Sequence, residues 1–213
     1  MTLDEVIYAR RSIRKYSKIK VGLDKIKEII TAGMWAPTAC NKQEYRFIYL
    51  DDKELINAIY TLGAAHFIAD TKQAILVLYD NRIDNIEYKD NIQSGSAVIQ
   101  NMLLKATELN VGTCWVCNLP PKRNLKKLLE IPSYYDPVAL ITLGHFEKAP
   151  QPMKRKHTVE DIMFVNKFEV NKDMVTQKSS SKLFMKRFLR SVYIRLPKTK
   201  FLIKLAERYE KKF

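Results

Sequence analysis

The sequence predicts an α+β domain in which helices are layered against a buried sheet. Three observations carry this. Two apolar runs, "AILVLY" and "VALITL", are strand-sized and far short of the ~18 uninterrupted apolar residues of a membrane-spanning helix. Segments of helical period stand around them, the longest from about Asp90 to Leu109. The two kinds of segment alternate irregularly, with no internal repeat.

Each element has a local reason. Thr2 stands three before Glu5, a capping-box spacing, and Leu3, Val6, Ile7 and Arg10 follow at helical intervals, so a first helix ends in "ARRS". A second helix begins near Asp24 with Ile26, Ile29 and Ile30 on one face, and "APT" stops it, because the residue before a proline disfavours helical geometry. "YRFIYL" at 45–50 reads as a strand, "KELINAIYTL" as a helix, and "QAILVLYD" at 73–80 as a strand buried on both faces. The Asp90–Leu109 helix carries Ser94, Gly95, Ser96 and Ala97, small enough to let another backbone approach. "VGTCWV" then reads as a strand, "PKRNLKKLLE" as a helix and "DPVALITLGHF" as a last buried strand.

The 213 residues suffice for one well-cored domain with an appendage. Lys and Arg outnumber Asp and Glu by 37 to 23, a net charge of +14 that attracts phosphates, nucleic acids or anionic lipid. Residues 166–213 hold 14 of those cations against 4 acids, so the basic character belongs to the tail. The expected organisation is a domain over 1–165, a polar linker over 166–181 and a basic amphipathic tail over 182–213. In the tail Met185, Phe188, Leu189, Val192 and Leu196 share a helical face, with Lys186, Arg187 and Arg190 opposite. Such a face suits an anionic bilayer surface or packs on protein, and both readings stay open. It carries no nucleic-acid motif. Three cysteines without a framework, and a polar start after Met1, predict a cytoplasmic protein, peripheral to the inner membrane face if the tail binds lipid.

Three polar clusters carry chemistry. "RRSIRKYS" puts Arg10, Arg11, Ser12 and Arg14 where a helix gives way to extended chain, which suits either a phosphate dianion or a solvated helix end. "APTACNKQ" offers Pro37, Thr38, Asn41 and Gln43 in a loop that holds a planar heterocycle or is an ordinary turn. "MKRKHT", with Arg155 and Lys156, follows the last strand as a third basic knot or a solvated linker. "GTCWVCN" raises dithiol chemistry, yet residues three apart on an extended chain point to opposite faces, so Cys114 and Cys117 would need a turn to bridge. No second pair of ligands stands close enough for a zinc site, and His66, His145 and His157 are scattered; of these, His66 is the one that could face a site.

In order, "ARRSIRKYS", "APTACNKQEYRFIYL", "NIQSGSAVIQNMLLKATELNVGTCWV" and "ALITLGHF" with the later "KRK" resemble the nitroreductase family of FMN-dependent oxidoreductases over residues 1 to about 165. The resemblance implies an α+β fold with a mixed central sheet flanked by helices, in a homodimer of intertwined subunits whose long central helices pair. It implies FMN at the subunit interface and NADH or NADPH as electron donor. Arg10, Arg11, Ser12 and Arg14 would hold the phosphate and ribityl chain, with Arg155 and Lys156 completing the cationic pocket. Pro37, Thr38, Asn41 and Gln43 would come from the other subunit. Trp115, Val116, Cys117 and Asn118 would line the flavin edge beside N5, although Cys117 and Asn118 depart from the family's commonest residues there. Hydride would pass from NAD(P)H through flavin N5 to a nitroaromatic, quinone or activated alkene in a ping-pong cycle, with no protein nucleophile and no metal. The alternative is a non-catalytic FMN-binding or membrane-surface module that uses the basic tail.

Overall fold

The computed structural model describes residues 1–82 and 85–169, with positions 184, 185 and 188 beyond them. Residues up to Pro150 form one compact unit, and the described residues from Gln151 on belong to a second. In the second unit residues 151–169 form bends and turns and are exposed except Phe164. Most of the linker at 166–181 and of the tail at 182–213 lies outside the described residues.

The first unit follows the predicted elements closely. Helix α1 (Leu3–Ala9) has the full capping box: Glu5 N–H donates to Thr2 Oγ1, and Thr2 N–H donates to Glu5 Oε2 at 2.8 Å. Helix α2 (Leu23–Met34) closes with Trp35 and Ala36 N–H groups on the carbonyls of Ala32 and Gly33, and Pro37 leads the chain away. Strand β1 (Tyr45–Leu50) precedes α3 (Lys53–Thr61), which Asp52 caps by accepting from the Glu54 and Leu55 N–H groups. A 3-10 turn at His66–Asp70 leads to β2 (Gln73–Asp80), then α4 (Asp90–Glu108), β3 (Gly112–Val116), α5 (Lys122–Leu128) and β4 (Tyr135–Gly144).

The four strands lie in the order β1-β2-β4-β3. All three ladders are antiparallel, which corrects the expected mixed sheet; among the described residues the parallel pairing is a single bridge, Ser12 to Thr113. An apolar alternation fixes which side chains share a face but not strand direction, which the connection sets. Ile75, Val77 and Tyr79 of β2 pack with Ala139, Ile141 and Leu143 of β4 against α2 and α4. Ala74, Leu76 and Leu78 pack with Leu140, Cys114 and Val116 against α3, the 3-10 turn and α5. Helices thus cover both faces, which is why all eight residues of β2 are buried. Gly95 has the close approach its size predicts: a Cβ there would stand 2.9 Å from Val138 Cγ2, so the small residue seats α4 on β4.

At the far end of the sheet Asp136 accepts from Lys122 Nζ at 2.5 Å, Lys126 Nζ at 2.6 Å and Asn81 Nδ2 at 3.1 Å, tying α5 and the loop after β2 to β4. Burial alone would raise this carboxyl, but the bonds from Lys122, Lys126 and Asn81 outweigh it and hold the pKa at about 2. A depressed carboxyl contributes stability that is fully present above its ordinary value of 3.8 and is lost as pH falls through about 2. Asp136→Asn is therefore expected to cost about 1–2 kcal/mol at pH 7, after allowance for solvent at Lys122, and much less at pH 2. Urea titrations of both proteins at the two pH values check this; an equal gap at both would contradict it.

Candidate functional site

The chain leaves α1 at Ala9 and runs extended past β3. Ser12 bridges Thr113, and Ile13 N–H donates to the Thr113 carbonyl at 2.8 Å. Ile13 is buried, so its neighbours Ser12 and Arg14 turn the other way. Arg14 lies with its guanidinium carbon 5.7 Å from the centre of the Phe67 ring, a cation–π contact with the 3-10 turn. Arg10 is half-buried, while Arg11 folds back and donates from Nη1 to the carbonyls of Tyr8 and Arg10, satisfying the open end of α1.

The Cys114 thiol registers this cluster. Burial pushes its pKa up, Arg14, the Ser12 hydroxyl and Arg10 act the other way, and Cys117 adds to the rise. Two of the sequence blocks therefore meet: the basic segment stands against the start of "TCWVC". Phe67 joins them, a residue the sequence did not single out because the turn that holds it has no period. Nearby, Ala65 N–H donates to the Asn118 carbonyl at 2.9 Å, tying the His66–Asp70 turn to the end of β3. His66 Nδ1 lies 3.4 Å from the Tyr60 hydroxyl, with the two rings edge to face.

Beyond Thr113 the residues alternate. Cys114 and Val116 are buried on the α3/α5 side, so at Val116 it is the backbone that a ligand could meet. Trp115 packs toward α2 and α4, and its buried Nε1–H has no hydrogen-bond partner among the described residues, an orphan donor of the kind that native structures rarely keep. Cys117 is exposed, and Leu119 N–H donates to its carbonyl. All three cysteines are free thiols, with Cys114 buried and Cys40 and Cys117 exposed. A thiol titration of the native protein with an aromatic disulfide is expected to give two fast groups and one slow one. Three fast groups would mean that Cys114 is not enclosed as described.

The second loop is strained. Cys40, Asn41 and Gln43 have φ of 50°, 53° and 52°, three left-handed residues without a glycine in four positions. Local bonds hold the shape: Gln43 N–H donates to Thr38 Oγ1, Gln43 Nε2 donates to Asn41 Oδ1 at 2.9 Å, and Ala39 N–H donates to Ser94 Oγ of α4 at 3.0 Å. Pro37, Asn41 and Gln43 are exposed and Thr38 is half-buried. At the loop's entry Trp35 is 84% exposed. The loop hangs from α4, whereas the basic segment hangs from β3. Arg155 and Lys156 lie in the second unit, both exposed.

The model of the Nitroreductase family matches residues 7–81 and 58–145, a span that includes the basic segment, the strained loop and β3. A protein of Archaeoglobus fulgidus, provisionally named an NADH dehydrogenase/NAD(P)H nitroreductase, is 32% identical over 147 residues, covering 66% of this chain and 83% of the relative. The crystal structure of a nitroreductase family protein from Clostridium difficile 630 superposes with a TM-score of 0.69 at 27% identity, covering 79% of this chain and 100% of that one. A provisionally named nitroreductase from Desulfovibrio desulfuricans, solved in complex with FMN, gives a TM-score of 0.63 at 28% identity over 79% of this chain and 99% of that one. With the fold, the matched span and these relatives in agreement, the chain belongs to the nitroreductase family.

Proposed function

We propose that the protein is an FMN-dependent oxidoreductase that takes hydride from NADH or NADPH and delivers it to a nitroaromatic, a quinone or an activated alkene, the donor and acceptor using one pocket in turn. The observation that carries this is the meeting of the basic segment with the start of β3, where Ser12 bridges Thr113, Ile13 N–H donates to the Thr113 carbonyl and Arg14 stacks on Phe67. The residues fit a ligand with an anionic end and a heterocyclic, acceptor-rich end. Arg10 and Arg14 would neutralise the phosphate and Ser12 would bond the phosphate or ribityl chain, while Arg11, held on the α1 carbonyls, would add charge nearby. Trp115, Val116, Cys117 and Asn118 would line the ring edge. When bound, FMN supplies the hydride-accepting and hydride-donating centre, and the chain supplies position and electrostatics.

A homodimer completes the same reading, with Pro37, Thr38, Asn41 and Gln43 reaching the cofactor of the second copy. Its support is the apolar surface of α1 and the end of α2, where Leu3, Tyr8 and Trp35 are 68%, 73% and 84% exposed. The test is the absorption spectrum of the purified protein together with NADH or NADPH oxidation in the presence of an added quinone. One flavin per subunit with turnover supports the proposal; colourless, inactive protein rejects it. No thiol is needed, so Cys117→Ser is expected to keep most of the reductase activity, and inactive protein with flavin still bound would restore a role for the thiol.

A second reading concerns the tail, and Phe184, Met185 and Phe188 favour it: these helical positions are exposed, in a segment where cations outnumber acids by 14 to 4. It would hold the protein, as enzyme or as a non-catalytic module, at an anionic bilayer surface. Among the described residues no helix is long and apolar enough to cross a membrane. Full-length protein should sediment with phosphatidylglycerol vesicles and not with phosphatidylcholine alone, and Phe184→Ser/Phe188→Ser should weaken this. Equal sedimentation with both lipids, or with neither, rejects the reading.

A further inference from the structure

The basic segment turns away from the sheet at a notch cut by two glycines. Gly112 of β3 and Gly144 of β4 are partners in the register. A Cβ at 144 would stand 2.8 Å from Tyr16 Cδ1, and one at 112 would stand 3.0 Å from Ile13 Cγ1. Phe146, Ile13 and the Tyr16 ring occupy the room thus left. The Tyr16 hydroxyl donates to the Ile13 carbonyl at 2.6 Å and lies 2.8 Å from Oγ1 of Thr142, a fully buried residue of β4. A phenol has one proton to give, so the Thr142 hydroxyl donates to Tyr16. Burial pushes the Tyr16 phenol well above its ordinary range, which keeps that proton in place. Just beyond, Ser17 N–H donates to the His145 carbonyl at 2.7 Å.

Both peptide units around Ile13 are therefore held. The one shared with Ser12 is fixed by Ile13 N–H on the Thr113 carbonyl, and the one shared with Arg14 by Tyr16 on the Ile13 carbonyl. A phenyl ring would fill the notch equally well but would leave the second peptide unit unanchored. We propose that Tyr16 and Thr142 are positioning residues for the cofactor phosphate, aiming the Ser12 hydroxyl and the Arg14 guanidinium without touching the ligand. This rests on the reading of Arg10–Arg14 as the phosphate site.

Riboflavin has the ring and ribityl chain of FMN without the phosphate, so comparing the two separates aiming from mere support. Full-length apoprotein is titrated with each flavin by fluorescence quenching, with circular dichroism confirming the fold. The wild type is expected to prefer FMN strongly. Tyr16→Phe and the double variant Tyr16→Phe/Thr142→Val, which leaves neither hydroxyl buried without its partner, are expected to lower that preference about tenfold through FMN alone, a loss comparable to that of one charge-assisted hydrogen bond. Thr142→Ser, which keeps the hydroxyl, should restore the wild-type ratio. Tyr16→Phe or the double variant keeping the full preference, or weakening FMN and riboflavin equally, overturns the proposal while leaving the phosphate site intact. A wild type with no preference overturns the phosphate site as well.

Discussion

Replacing Arg10 and Arg14 together by alanine is expected to raise the dissociation constant for FMN by roughly a hundredfold or more while leaving the apoprotein folded. Two charge-assisted contacts to one phosphate would be lost, and no core residue with them: Arg14 is exposed and Arg10 half-buried. The folded chain forfeits chiefly the Arg14–Phe67 contact, worth about 0.5–1 kcal/mol at an exposed site and so a few degrees in Tm at this size. Flavin released on gel filtration, with a melting curve little changed, is the expected pair of results. A double variant that still carries one FMN per subunit would remove the basis of the proposed site.

What the sequence made legible follows from what a side-chain pattern encodes. Strands at 73–80 and 135–144 stood out as unbroken apolar runs because helices cover both faces of the sheet, and α1 stood out because Thr2 and Glu5 state its cap. Strand direction is not written in such patterns; the mixed sheet came from the family resemblance, and the described ladders are antiparallel. At the site, residue types announced the Arg10–Arg14 cluster, and the period of an extended chain argued against a bridge between Cys114 and Cys117, which are free thiols, one buried and one exposed. The strain at Cys40, Asn41 and Gln43 was hidden because left-handed backbone is advertised by glycine and none stands there. Nor could Arg11 be told from its neighbours, since its retreat onto α1 depends on where the helix carbonyls end. The service of Ser94 to the loop was likewise masked: its smallness was visible, its hydrogen bond to Ala39 was not.

Ile141→Ala is expected to have the converse effect, a large loss of stability with the cofactor site preserved. Ile141 is fully buried and stands between Ile75 of β2 and Trp115 of β3 in the register, facing α2 and α4. Ladders on both sides hold its strand, so the space left by three carbons cannot close, and transfer and cavity costs add to about 2–5 kcal/mol. With a urea m-value of about 2–3 kcal/mol per M, the unfolding midpoint should fall by about 1–2 M at unchanged slope, at one fixed protein concentration. The basic segment hangs from Thr113 and Thr142 rather than from Ile141, so saturating FMN should still bind and raise the variant's midpoint by mass action as it does for the wild type. A shift below about 0.5 M would show that the centre of the sheet is not where the fold places it. A normal shift without FMN rescue would show instead that the site depends on the packing beneath Trp115, and the orphan indole would become the first residue to replace.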